Sequence, residues 1–118
     1  MTYRRRGLTL LVFVMALGVA PAGATDEDWL LGRWELVHSP DRDPTDWLEF
    51  APDGRMTTIS PSLKRFGGRY VVTGREVQLN FKVGNESILL TLTYGPDKAR
   101  LYSRSARTGN TAVYEKRP

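Results

Sequence analysis

Four residues near the C-terminal end are spaced for holding an anion. Lys98, Arg100, Tyr102 and Arg104 alternate along a stretch that reads as a strand, so they share one face, with Arg107 just beyond. Basic side chains interleaved with an aromatic suit a phosphate, an acidic glycan or an acidic protein surface. The same spacing also describes a solvated strand face whose long stems cover apolar surface. A second group is aromatic: Tyr70, Phe81, Tyr94 and Tyr114 fall on apolar faces, where phenolic hydroxyls would offer polar handles to a small ligand. Catalytic chemistry finds little support. His38 is the sole histidine, and the sequence offers it no partners for metal ligation or general-base work. Asp41, Asp43 and Asp46 lack the glycine and distal glutamate of an EF-hand loop, and Pro44 intrudes, so they read as a solvated acidic loop. No paired-carboxylate signature, Ser-His-Asp order or glycine-rich phosphate loop beside a helix stands out. The expectation is a non-enzymatic protein with no cofactor and no metal.

Short strands must position all of these residues. Asp26 to Leu31 reads as one helical turn ended by Gly32, and a first strand runs from Gly32 to about His38. Trp34 and Leu36 share one face of it, Arg33 and Glu35 the other. Trp47–Phe50 is a second strand, and Ala51-Pro52-Asp53-Gly54 carries hairpin chemistry into Arg55–Ser60. Gly67–Val72, Glu76–Val83, Ser87–Tyr94, Ala99–Arg104 and Thr111–Arg117 follow, each set off by a turn or loop signal. Glu76–Val83 alternates most cleanly, with Val77, Leu79, Phe81 and Val83 inward. The inward set drawn from these strands takes no residue from Arg55–Ser60. Eight strands at this spacing predict an all-β antiparallel up-and-down meander, curled or closed because closure removes exposed edges.

Residues 1–24 read as a secretory signal. Arg4, Arg5 and Arg6 precede an apolar run, Leu8 to Ala20, and Ala22-Gly23-Ala24 supplies a small-x-small cleavage pattern. The run is shorter than the ~20 apolar residues of a membrane span, so no stable membrane anchor is expected. A single domain over 25–118 remains, and it has no cysteine for a disulfide or for acylation. A periplasmic or secreted monomer is the expectation. Asn85-Glu86-Ser87 matches a glycosylation sequon, but the export signal looks bacterial and the match is discounted.

The basic charge balance is concentrated at the N-terminus. Of seventeen Lys and Arg, three are Arg4, Arg5 and Arg6, which leaves fourteen against thirteen acids, a net of +1. Bulk-charge binding of nucleic acid therefore has no basis. Between Thr25 and Gly54 nine acids face only Arg33 and Arg42, and the rest of the chain is basic. Either the two halves neutralise each other when the first strand meets the last, or the surface is bipolar and steers a charged partner.

Three features resemble the lipocalin-like (calycin) barrels found among small bacterial exported proteins. They are Gly32-Arg33-Trp34, the strand-to-hairpin run Leu48 to Gly54, and the terminal Tyr114-Glu115-Lys116-Arg117. The resemblance implies an up-and-down barrel plugged at one end by the first strand. It also implies that a basic residue of the last strand, Lys116 or Arg117, packs over Trp34. Gly32, Trp34, Lys116 and Arg117 are its structural signature. An eight-stranded barrel is either filled by side chains or holds one small ligand. Two functions follow as expectations. One is an envelope binding protein taking a small apolar or amphipathic ligand in the barrel mouth, at Tyr70, Phe81, Tyr94 and Tyr114. The other is a protein-interaction module that meets an acidic protein or envelope component through rim loops and the basic seventh strand.

Overall fold

Alternating apolar and polar residues give each strand one face to bury, and eight such strands in succession bury theirs by curling round a common axis. The computed structural model describes residues 27–118. The proposed signal segment and the start of the acidic lead-in lie outside them. The strands are β1 Gly32–His38, β2 Trp47–Phe50, β3 Arg55–Ile59, β4 Arg65–Thr73, β5 Glu76–Val83, β6 Glu86–Tyr94, β7 Arg100–Arg104 and β8 Thr111–Arg117. Each pairs antiparallel with the next, and β1 pairs with β8, so the order is that of a closed up-and-down barrel. The architecture is all-β and consistent with a lipocalin-like fold.

Four strands coincide with the sequence expectation, three differ at one end, and β4 differs at both. The largest difference is β4, which begins at Arg65 rather than Gly67 and brings Phe66 into the sheet. Gly67 and Gly68 do not break the strand. A Cβ at Gly68 would collide with the Asn80 backbone carbonyl and lie 2.6 Å from the Phe81 Cβ, whereas one at Gly67 would meet nothing within 4 Å. Only Gly68 is required, because β5 crosses it closely at the Gly68–Phe81 pair.

The lead-in forms a single 3₁₀ turn, Asp28–Leu30, before Gly32. Gly32 takes φ +111°, a conformation side-chain-bearing residues rarely adopt, and this redirects the chain into β1. Trp34 is fully buried, and its indole N–H donates to the Leu30 carbonyl at 2.8 Å. A buried indole keeps its burial energy only if that N–H finds an acceptor, and the 3₁₀ turn supplies it. Around Trp34 the core gathers Leu36, Leu48, Phe50, Val77, Leu79, Leu92 and Leu101. Leu30 and Met56 join them, and β3 thereby contributes a core residue that the alternation reading had left out.

The outer face carries the charge. The first strand meets the last with Arg33 opposite Arg117 and Glu35 opposite Glu115. Arg117 pairs with Glu35 at 3.3 Å, Arg33 and Arg65 flank Glu49 at 2.6 and 3.0 Å, and Arg100 meets Glu115 at 2.9 Å. Closure of the barrel thus brings acids of the first third against bases from the rest of the chain.

Candidate functional site

The barrel has two unlike ends. At the first, Trp29 stands edge-on to Trp34 at 6.1 Å and against Tyr94 at 4.6 Å. The Lys98 ammonium lies 5.7 Å above the Trp29 ring, and Lys116 Nζ donates to the Trp29 carbonyl at 2.9 Å. Tyr94 donates its hydroxyl to the Gly74 carbonyl, and Tyr70 donates to the Ala51 carbonyl at 2.7 Å while its ring meets Phe50 edge-on. These hydroxyls fasten the β4–β5 and β2–β3 turns to the barrel, so both phenols are already engaged. This end is closed.

The other end opens because its strands run past their partners. β6 pairs with β7 only from Leu92 to Tyr94, which leaves Glu86–Thr91 with no β7 partner. β4 and β5 first pair at Gly68–Phe81, so the two strands part at this end while the β5–β6 hairpin overruns β7. Along the inward face of β5 exposure climbs from 0% at Val77 and 1% at Leu79 to 38% at Val83. A cleft of 220 Å³ results, walled by Leu48, Ile59, Phe66, Phe81, Val83 and Leu90, with Thr58, Asp46 and Tyr114 adding polar atoms. That volume is below the ~300 Å³ lower bound of drug-sized pockets, so it suits one ring or a short chain.

Asp46 and Tyr114 form the polar centre of this cleft. Tyr114 donates its hydroxyl to Asp46 Oδ1 at 2.7 Å, and the Asp46 carbonyl accepts from the Leu36 amide at 3.0 Å. Asp46 is half-buried, and burial raises its carboxyl pKa despite the Tyr114 hydrogen bond. Burial, with the nearby Asp46 charge, also drives the Tyr114 phenol well above the ordinary tyrosine range. The pair is a phenol hydroxyl donating to the Asp46 carboxyl group.

The three loop aspartates separate into three roles, unlike the uniform solvated loop expected. Asp41 accepts from Thr108 Oγ1 at 2.8 Å and Asn110 Nδ2 at 2.7 Å, clasping the β1–β2 loop to the β7–β8 turn. The Asn110 bond, then that from Thr108, lowers its carboxyl pKa. Asp43 accepts from the Ser39 hydroxyl. Asp46 alone turns into the cleft. The sequence carried a signal for this: Asp46, Leu48 and Phe50 alternate, so extending β2 back by one step puts Asp46 on the inward face. Phe66 follows the same rule, two residues before Gly68 and four before Tyr70.

The four aromatics named as one ligand site are divided. Phe81 and Tyr114 line the cleft, while Tyr70 and Tyr94 belong to the closed end. The structural signature also distributes its roles differently. Lys116 lies opposite Trp34 across β1–β8 but reaches the Trp29 carbonyl, Arg117 joins Glu35 outside, and the cation over an indole is Lys98 on Trp29. Of the basic face, Arg100, Tyr102 and Arg104 lie on β7. Lys98 precedes the strand at φ +54° and leaves that face for the Trp29 ring. Arg100 is engaged by Glu115.

A second hollow, of 280 Å³, lies against β1–β3 and is lined in part by Arg33, Glu49 and Arg55. Its carboxylate is already shared between Arg33 and Arg65, and the Arg33 bond is the chief cause of its lowered pKa. The open end is the better site. A small antiparallel barrel of this kind is compatible with a binding module. Comparison with protein-family models, curated proteins and solved structures finds no match to this chain.

Proposed function

We propose that the protein is an exported, non-enzymatic binding protein of the lipocalin-like kind, taking a small amphipathic ligand at the open barrel end. The observation that carries this reading is an apolar cleft holding a phenol–carboxylate pair, Tyr114 and Asp46, on its inward wall. Apolar walls with a few convergent polar groups bind by burial and orient by hydrogen bonding. Export to the periplasm or the medium rests on the signal-like residues 1–24.

Native mass spectrometry of protein purified from its own cells tests the reading. A small molecule retained by the wild type and lost from Thr58→Trp, which plugs the cleft, is the expected result. A bare wild-type chain that does not take up small amphiphiles would count against it.

A second reading, a protein-interaction module, is favoured by Leu63 and Leu89, which are 69% and 77% exposed on the β3–β4 loop and on β6 near the cleft. It works through the rim loops and the basic seventh strand, where Arg100 is held by Glu115 and Arg104 makes no ion pair among the described residues. Charged substitution of Leu63 and Leu89 would then abolish capture of one protein partner and leave small-molecule uptake untouched.

A further inference from the structure

Four carboxylates on the outer face of this barrel are matched by cations. Glu35 meets Arg117, Glu49 meets Arg33 and Arg65, Asp53 meets Arg55, and Glu115 meets Arg100 and Arg117. Asp46 is half-buried in the cleft and is not matched in this way. Its partner is the neutral Tyr114 phenol at 2.7 Å, and among the described residues no Lys, Arg or His lies within ion-pair distance of it. No basic residue lines the cleft, and the loop charge that acts on Asp46 is Asp43, of the same sign. A half-buried carboxylate without a counter-charge costs free energy, because it has lost water and gained one hydrogen bond in return.

The geometry points to a cationic ligand: an amine-bearing amphiphile whose ammonium meets the Asp46 carboxylate while its apolar part lies between Phe66, Phe81 and Leu90. This inference rests on the proposed use of the open end and names the chemical class that end selects. Three properties of the cleft converge on it. The ammonium supplies the missing counter-charge in a charge-assisted hydrogen bond, which is stronger than a neutral one. Phenyl rings such as those of Phe66 and Phe81 accept either an apolar ring or a cation over their faces. The 220 Å³ volume limits the ligand to about one ring with a short arm. An anionic amphiphile of the same shape meets like charge from Asp46 and Asp43 and is rejected.

Calorimetric titration of the purified protein at neutral pH with three probes that share a phenylethyl group reads this directly: 2-phenylethylamine, 2-phenylethanol and 3-phenylpropionate. The amine should bind about tenfold or more tightly than the alcohol, and the propionate should bind weakest. Asp46→Asn should remove most of the amine's advantage and leave the alcohol's affinity within about twofold. The wild-type ranking needs no variant, so poor folding of Asp46→Asn cannot hide the answer. Equal binding of amine and alcohol would overturn the cationic class and leave the open-end site standing. No binding of any probe at millimolar concentration would overturn both.

Discussion

The two ends of the barrel use the same device, aromatic residues on inward-facing positions, to opposite effect. At the closed end three aromatics spend their polar atoms on backbone: the Trp34 indole on Leu30, the Tyr70 hydroxyl on Ala51, the Tyr94 hydroxyl on Gly74. At the open end the Tyr114 hydroxyl goes to a side chain, Asp46, whose charge no cation meets. The first arrangement locks turns and excludes water. The second leaves a directional acceptor facing an apolar hollow. Which end an aromatic occupies decides whether it builds the fold or is available to a ligand.

The largest test of that contrast is Trp34→Ala. It empties the centre of the closed end, strands the Leu30 carbonyl and should cost about 3–5 kcal/mol in chemical denaturation. A loss under about 1 kcal/mol would show that the plug is not the organising core. Tyr114→Phe keeps the ring and removes the hydroxyl from Asp46. It should cost about 1–3 kcal/mol, since a half-buried carboxylate loses its donor.

The sign of pH dependence sharpens the comparison between the cleft and the outer face. Burial holds Asp46 above the usual carboxylate range, so its charged form costs stability above that raised value. The cost disappears as pH falls towards the unfolded value. Asp46→Asn should therefore look more favourable, relative to wild type, near neutral pH than in acid. Glu49 is held low by Arg33 and then Arg65, so it contributes stability above the unfolded value and loses it as pH falls through the lowered one. Glu49→Gln should cost more near neutral pH than in acid, and denaturant melts across that range separate the two signs. Smallest of all is Arg100→Gln, which breaks an exposed pair with Glu115. It should change stability by at most about 1 kcal/mol, and by less in high salt.

Strand boundaries and topology were legible because alternation and turn residues are local. Trp34 stood out as core for the same reason. Roles that depend on the stagger between strands were not legible. Tyr70 and Phe81 both read as inward, yet they sit towards opposite ends of the barrel, because which end a side chain reaches depends on how far each strand overruns its neighbour. The partner of Arg100 was equally hidden: it is Glu115 across β7–β8, a choice made by register. Asp46 was hidden by its neighbours. A proline-bearing acidic loop looks solvated until the period-two pattern of β2 is carried one step further back. Lys98 left the basic face because its left-handed backbone turns it towards Trp29.

The central claim is that the open end receives the ligand and the closed end does not. Two-dimensional amide NMR during titration with 2-phenylethylamine tests it most directly. Shifts should concentrate at Asp46, Leu48, Thr58, Phe66, Phe81, Leu90 and Tyr114, with Trp29, Tyr70 and Tyr94 unmoved. Shifts centred on Trp29 and Tyr94, or spread along Arg100 to Arg104, would contradict it.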